Sequence, residues 1–253
     1  MDQISLEGKV YIASDFHLGT SGKETSIIRE LRISRWLQSI RTEVNALILV
    51  GDIFDYWYEY RQVIPRGFSH FWSEIRQLTN NNVPVYFFTG NHDMWMFDYP
   101  ETEYGVKILR EPTFFSINKL SCVIHHGDGL GPGDYGYKCL KKLFTSRLCQ
   151  FLFSRLHPNL AIWIMRSFSK TSRKYGKEEP ELVPDQEWLV QYCEDYIKKN
   201  SSIDYFIFGH RHLPINHILS NGHSTYLNLG DWLYHYSYAE VEEDKIILKK
   251  YDE

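Results

Sequence analysis

The amino-acid sequence predicts a layered α/β protein, a four-layer α/β/β/α sandwich formed by a single domain over residues 1–253, with a helical insertion at 135–178. Short apolar runs rich in β-branched and aromatic residues recur along the chain, and stretches with helical periodicity lie between them. After residue 213 the pattern changes to strands and turns. Because apolar runs without alternation are typical of strands buried on both faces, we expect sheets that are covered by helices.

Five apolar runs are predicted to be buried strands, and each ends in a polar or glycine cluster. They are residues 10–13, 46–50, 83–88, 121–124 and 205–208. Three further stretches place apolar side chains at spacings of three and four, as one face of a helix requires. They are residues 25–41, 68–78 and 185–198. A hairpin turn is expected at Ser220-Asn221-Gly222.

The composition excludes several classes of protein. Aromatic residues make up 16% of the 253 residues, so a disordered chain is not expected. No apolar run reaches the roughly 18 residues that a transmembrane helix needs, and the first residues lack the basic and apolar regions of a signal peptide. The four cysteines show no metal-binding spacing, so we expect reduced thiols in a cytoplasmic protein.

Charge is unevenly distributed along the chain, although the net charge is only −4. Residues 135–177 contain ten Lys or Arg and no Asp or Glu. This segregation indicates an anionic partner for the segment.

Each predicted buried strand is followed by side chains that commonly bind metal ions. In chain order these are Asp15 and His17, Asp52, Asn91-His92-Asp93, His125-His126, and His210 and His212. Each motif taken singly is more often a surface pair, a turn or a structural histidine, but five in order after five strand signals argue against coincidence. Because the carboxyl ends of strands gather at one crevice of an α/β sheet, we expect a two-metal centre there. Mixed nitrogen and oxygen donors suit Mn, Fe, Co or Zn better than Ca or Mg.

The ordered motifs Asp-x-His, Gly-Asp, Gly-Asn-His, His-Gly and Gly-His-x-His resemble those of the calcineurin-like metallophosphoesterase superfamily, from about residue 10 to 232. The resemblance implies the metallophosphoesterase sandwich and two divalent ions, for which we expect Mn²⁺, with Fe, Co or Zn as alternatives. It implies that one ion is held by Asp15, His17, Asp52 and His212, and the other by Asp52, Asn91, His126 and His210. Asp52 then bridges the two ions, and His125 is structural because His126 directly precedes Gly127.

Four segments, at residues 15–18, 51–57, 126–130 and 229–232, are similar to the UDP-2,3-diacylglucosamine diphosphatase family. This similarity implies cleavage of the substrate pyrophosphate to UMP and 2,3-diacylglucosamine 1-phosphate in lipid A biosynthesis. The chain departs from that family at His92, where the family has Arg and the wider superfamily has His. His92 is expected to stabilise the transition state or donate a proton, with Asp93 orienting its imidazole. A His92 without a direct role and an Asp93 that caps a loop are the alternatives.

The same similarity implies substrate contacts at several positions, most of them in or beside the insertion. They are Asn91, His92, Asp134, Tyr137, Arg166, Ser169 and Lys170. Apolar side chains recur at helical spacing through 135–178, and all ten charged residues up to Lys177 are basic, which is typical of a helix lying on an anionic membrane. We therefore expect a lid that binds the UDP-linked lipid at the inner face of the cell membrane, to which the protein attaches peripherally. A pair of core helices with a solvated charged face is the alternative.

Other functions are also open at this stage. The same chemistry could act on another nucleotide, a phosphodiester or a phosphoprotein. A non-catalytic scaffold would lack ligand residues, and none of the expected ones is missing. The basic segment could bind nucleic acid, but it carries no recognised nucleic-acid motif and is strongly apolar, so no nucleic-acid partner is expected. We expect no obligate protein partner.

Overall fold

A computed structural model describes residues 3–133, 135–175, 187–200 and 202–252. The strands within these ranges are β1 Ile4–Leu6, β2 Val10–Ala13, β3 Ala46–Val50, β4 Val85–Phe88, β5 Lys107–Leu109, β6 Thr113–Ile117, β7 Leu120–Ile124, β8 Tyr205–Phe208, β9 Pro214–Ile218, β10 Thr225–Leu229, β11 Ser237–Glu242 and β12 Lys245–Lys250. The helices are α1 Ser26–Ile40, α2 Ser69–Asn80, α3 Tyr99–Tyr104, α4 Tyr135–Phe144, α5 Arg147–Phe153, α6 Pro158–Tyr175 and α7 Trp188–Ile197.

The strands form two mixed sheets. Sheet 1 has the order β1-β6-β7-β8-β10-β9, and sheet 2 has the order β12-β11-β2-β3-β4-β5. At the centre of sheet 1, β7, β8 and β10 run parallel to one another, as do β2, β3 and β4 at the centre of sheet 2. Each sheet therefore presents three carboxyl-terminal strand ends at one edge.

Apolar side chains fill the space between the sheets, where Ile12, Ile48 and Phe88 of sheet 2 belong to the same buried cluster as Phe115 and Ile207 of sheet 1. Helices α1 and α2 bury an apolar stripe against the outer face of sheet 2, and α7 does the same on sheet 1. Both sheets are thus covered on both faces, which is why their central strands read as unbroken apolar runs. The predicted α/β/β/α order of layers is confirmed.

The five predicted strands correspond to β2, β3, β4, β7 and β8, with differences of one or two residues at their ends. Strands β1 and β5 were not predicted, because each has three residues and lies at a sheet edge, where one side needs no apolar cover. The first two predicted helices are α1 and α2. The third begins at Trp188 in α7, and its predicted start at 185–186 lies outside the described residues.

Helices α4, α5 and α6 occupy the segment predicted as an insertion and lie against the loops that follow β3 and β4. Tyr56, Tyr58 and Trp95 of these loops form an aromatic cluster, and apolar side chains of all three helices pack on it. Two hydrogen bonds add to this contact, since Trp95 Nε1 donates to the Phe144 carbonyl at 2.8 Å and the Tyr58 hydroxyl donates to the Gln150 carbonyl at 2.9 Å. Among the described residues, no helix has both the length and the apolar character needed to cross a bilayer.

Candidate metal centre

The predicted ligand side chains lie at the edge where the carboxyl ends of the central parallel strands of both sheets meet. Asp15 and His17 follow β2, Asp52 follows β3, and Asn91 follows β4. From sheet 1, His126 follows β7, and His210 and His212 follow β8. The packing of one sheet on the other therefore brings two sets of loops face to face, as a crevice at strand ends requires.

The structure groups these side chains into two clusters that could each hold a metal ion. One consists of Asp15, His17 and His212, and the other of Asp52, His126 and His210. Asp52 links the clusters, because its Oδ2 lies 3.4 Å from His126 Nε2 and 3.7 Å from His17 Nε2. Asn91 joins the second cluster, with its Oδ1 3.3 Å from His126 Nε2.

The chemistry of these donors fits divalent cations. Asp15 Oδ1 is buried without a hydrogen-bond partner among the described residues, and a bound cation would satisfy it. Burial lowers the pKa of His17 and of His126, but neighbouring carboxylates outweigh it and raise both to about 10. The buried carboxylates thus draw positive charge into the site. Oxygen and imidazole donors at this spacing suit divalent metal ions.

The backbone of the site is held in an unusual conformation. Five of the predicted ligands adopt a left-handed backbone, with φ of 54° at Asp15, 44° at His17, 52° at Asp52, 69° at His210 and 57° at His212. Such conformations cost about 1–3 kcal/mol each and persist where the surroundings enforce them. The buried Arg29 supplies one such constraint, since its guanidinium donates to the carbonyls of Phe16 at 2.8 Å and His17 at 2.7 Å.

Two glycines allow the loops to approach the carboxylates closely. A Cβ at Gly90 would collide with the Asp52 side chain, and a Cβ at Gly209 would collide with the Asp15 side chain. The Gly-Asn-His and Gly-His-x-His motifs therefore need glycine at these positions for lack of space.

The ring nitrogens that face away from the clusters have acceptors nearby. His126 Nδ1 lies 2.8 Å from the Val50 carbonyl, and His212 Nδ1 lies 3.1 Å from Asp231 Oδ2. Because these oxygens can only accept, Nδ1 carries a proton, which leaves Nε2 as the nitrogen that could bind a metal ion.

His92 lies beside the bridging carboxylate, with Nε2 3.9 Å from Asp52 Oδ2 and its backbone N–H donating to Asp52 Oδ1 at 2.9 Å. The structure places Asp93 elsewhere than expected, because its carboxylate accepts backbone N–H groups of Ile53 and Gly90 rather than the His92 imidazole. The carboxylate on the Nδ1 side of that imidazole is Asp55, whose Oδ1 lies 3.8 Å from His92 Nδ1. Asp55 also lies 3.5 Å from His17 Nδ1.

Sequence reasoning missed Asp55 as a site residue. The available signal was its position three residues after Asp52 in the Gly-Asp-Ile-Phe-Asp segment, within the same loop. From the sequence, the Asp55 carboxylate could face His17, His92 or solvent, so the segment alone did not identify its partner.

The predicted substrate contacts are placed differently from one another. Arg166 lines a cavity of about 590 Å³ that reaches Asp55, whereas the Tyr137 hydroxyl donates to the buried Asp128 at 2.6 Å and so ties α4 to the His126 loop. Asp134 lies outside the described residues. Ser169 and Lys170 lie on α6, and their side chains are outside the described part. His125, expected to be structural, accepts the Gly127 N–H on Nδ1 at 3.0 Å.

Comparison with known proteins gives consistent family matches. The sequence profile of the calcineurin-like phosphoesterase family matches residues 8–214. A UDP-2,3-diacylglucosamine hydrolase of Porphyromonas gingivalis (strain ATCC BAA-308 / W83) is 31% identical over 261 residues, covering 98% of this chain and 99% of the relative. A protein of the same name from Vibrio atlanticus (strain LGP32) is 29% identical over 230 residues, covering 88% and 89%.

Solved structures similar to the chain include an archaeal phosphodiesterase, with a TM-score of 0.47 and 14% identity over 95% of this chain and 99% of that one. A hypothetical protein of Pyrococcus horikoshii OT3 has a TM-score of 0.48 and 12% identity over 96% and 88%. The family profile and the curated relatives match most of the chain, and the clusters above contain the donors that metal-dependent phosphate hydrolysis needs. The chain belongs to the calcineurin-like phosphoesterase family and is a metal-dependent phosphohydrolase.

Proposed function

We propose that the protein hydrolyses the pyrophosphate of UDP-2,3-diacylglucosamine to UMP and 2,3-diacylglucosamine 1-phosphate, a step of lipid A biosynthesis. Relatives that carry the name of this activity match the chain over most of its length. The structural observation that carries the proposal is a cavity between helix α6 and the loops after β2 and β3, because its walls suit a phosphorylated lipid.

The cavity has a volume of about 590 Å³ and is lined by the loops after β2 and β3 and by helix α6. From the core come Leu18, Gly19, Asp55, Tyr56, Pro65, Arg66 and Phe68, and from α6 come Asn159, Ile162, Trp163, Arg166 and Ser167. Arg66 and Arg166 offer positive charge for phosphate, while Ile162 and Trp163 offer apolar surface. A substrate with both an anionic and an apolar part matches this lining.

We assign one ion to Asp15, His17, Asp52 and His212, and the other to Asp52, Asn91, His126 and His210, with Mn²⁺ as the expected metal at both. When bound, such ions supply charge stabilisation at the phosphoryl oxygens and a water of lowered pKa. The carboxylate of Asp52 would contribute to both sets of donors, and the imidazoles would complete each set.

His92 is the group we assign to the phosphate. Its backbone N–H donates to Asp52 Oδ1, and its ring Nδ1 lies 3.1 Å from the Asp55 carbonyl oxygen. One contact therefore positions the backbone of His92 and the other positions its ring. With Nδ1 donating to that carbonyl, Nε2 is the nitrogen that faces the bridging carboxylate and the substrate. When Nε2 is protonated as well, the ring is an imidazolium that can donate to a phosphoryl oxygen or to the leaving group, although burial lowers the pKa of His92.

We also propose that the segment 135–178 is a lid that rests on the cytoplasmic face of the cell membrane. Its helices have two apolar faces. One packs on the aromatic cluster around Trp95, and the other is exposed at Leu140, Leu143, Leu148, Phe151, Leu152, Leu160 and Trp163. Leu148 and Trp163 are each 66% exposed. Such a second apolar face beside basic residues suits an anionic lipid surface, where each basic residue adds about 1 kcal/mol.

The activity is tested by measuring UMP release from UDP-2,3-diacylglucosamine with Mn²⁺ in detergent micelles. Hydrolysis of UDP-glucose, bis(p-nitrophenyl) phosphate and a phosphopeptide is measured in parallel. We expect the lipid substrate to be strongly preferred. Arg166→Ala should raise the KM for this substrate, whereas Arg147→Ala, an exposed arginine of α5 away from the cavity, should not. Hydrolysis of the other substrates at equal or higher kcat/KM would assign a different substrate.

Membrane attachment is tested by co-sedimentation with vesicles of anionic or neutral lipid. We expect binding to the anionic vesicles only, and weaker binding after Trp163→Ser or Leu148→Ser, because both remove exposed apolar area. Ile27→Ser changes an exposed apolar residue of α1, outside the lid, and should leave binding unchanged. If the unmodified protein stays in the supernatant with anionic vesicles, the membrane proposal is wrong.

A further inference from the structure

The loop after β10 carries a buried carboxylate, Asp231, on the side of the His212 ring opposite to Asp15. Asp231 has no exposed surface, and its Oδ2 lies 3.1 Å from His212 Nδ1. The opposite nitrogen of the same ring, Nε2, lies 3.4 Å from Asp15 Oδ1. The His212 imidazole therefore lies between a carboxylate within the cluster and one outside it.

Asp231 is itself held in place by contacts within its own loop. Its Oδ1 accepts the backbone N–H groups of Tyr234 and His235, each at 3.0 Å, and lies 3.1 Å from His235 Nδ1. The next residue ties the loop to the segment after β2, because the Trp232 N–H donates to the Asp15 carbonyl at 3.1 Å. Asp231 is thus an acceptor that its own loop holds next to His212.

Neighbouring side chains enclose His212 less than they enclose His17 and His126. Its side chain is 26% exposed, whereas those of His17 and His126 are at most 1% exposed. Its ring stacks on the His17 ring, with centroids 4.9 Å apart, and the two Nε2 atoms are 3.2 Å apart. Neighbouring side chains enclose the His212 ring only in part, so the contact with Asp231 fixes the rotation of this ring.

We infer that Asp231 is a positioning residue that orients His212 for metal binding. By accepting the Nδ1 proton, the carboxylate selects the tautomer in which Nε2 has a free lone pair, and it fixes the direction of that lone pair toward Asp15 and His17. Asp231 belongs to none of the possible ligand groups among the described residues, so it acts through His212. The inference rests on the proposed metal centre but not on the proposed substrate.

The test is a Mn²⁺ titration of the metal-free protein by isothermal calorimetry, comparing wild type with Asp231→Asn. Replacing a carboxylate that supports a ligating histidine lowers metal affinity by about 10–100-fold, so one of two binding steps should weaken by that factor. The matched control is Asp204→Asn. Asp204 also pairs with an imidazole, at 2.9 Å from His223 Nε2, but it lies at the opposite end of β8. Asp204→Asn should bind Mn²⁺ as the wild type does.

Turnover of bis(p-nitrophenyl) phosphate separates positioning from a general structural defect. For Asp231→Asn, we expect excess Mn²⁺ to restore most of kcat, with the metal concentration at half-activity raised by the same factor as the dissociation constant. Wild-type Mn²⁺ affinity in a folded Asp231→Asn protein, or an equal loss in Asp204→Asn, would overturn the inference. Failure to cleave the UDP-linked lipid would overturn the proposed substrate but leave this result unaffected.

A second measurement needs no change at Asp231. Imidazole ¹⁵N spectra of the Zn²⁺-loaded protein, with the His212 signals assigned from a His212→Gln variant, report which nitrogen carries the proton. We expect a proton on Nδ1 and a metal-shifted Nε2. A proton on Nε2 would show that Asp231 does not select the ligand tautomer.

Discussion

Replacing Asp52 by alanine is expected to be the most damaging single change to the metal centre. Asp52 alone is assigned to both ions, and its Oδ2 lies within 4 Å of Nε2 atoms in His17, His92 and His126. Its Oδ1 also accepts the His92 N–H. The substitution therefore removes a ligand from each ion, the negative charge between them and one contact that positions His92.

The expected loss of activity follows from the contribution of the metal ions to transition-state stabilisation. Metal ions supply several kcal/mol of transition-state charge stabilisation, and about 1.4 kcal/mol corresponds to a tenfold change in rate. We therefore expect kcat/KM to fall by about 10³-fold or more in Asp52→Ala. Metal content, measured by plasma mass spectrometry after gel filtration, should fall at both sites.

Two variants make this experiment specific. Asp52→Asn keeps the shape and a neutral oxygen donor, so it should retain more metal than Asp52→Ala. Asp195→Ala removes an exposed carboxylate of α7 that pairs with Lys198, and it should change neither activity nor metal content. An Asp52→Ala protein that keeps two tightly bound ions and measurable turnover would refute the bridging assignment.

Three further predictions concern residues around the bridging carboxylate. His92→Ala should keep its metal, measured as above, but lose about 10²–10⁴-fold in kcat, and unchanged turnover would remove His92 from the reaction. Gly90→Ala should lower both the melting temperature and the metal content, because its Cβ would collide with Asp52, whereas Gly136→Ala meets no atom within 4 Å and should lower neither. Asp55→Asn should weaken Mn²⁺ binding in calorimetry by about 10–100-fold, because its carboxylate faces two histidines of the site, and wild-type affinity would show that it supports neither.

Much of the fold could be predicted because its signals are local. Strands covered on both faces must be apolar at every position, so residues 10–13 and 46–50 stand out as unbroken runs. The edge strands β1 and β5 lack that requirement and were missed. The predicted ligands were recognisable for a related reason, since each directly follows a central strand and its place in space follows from the strand order.

What the sequence by itself determined about this protein is the succession of five central strands along the chain, the residues at their carboxyl ends and the basic, apolar character of 135–177. Only the tertiary structure decided which side chains meet. Asp55 rather than Asp93 faces the His92 imidazole, Tyr137 reaches Asp128, and Asp231 supports His212 from a loop 19 residues away. These pairings depend on how two sheets pack and how loops bend between them. Neighbouring residues along the chain do not encode that geometry, because a hydrogen bond requires a partner within about 3 Å in space, at whatever distance in sequence.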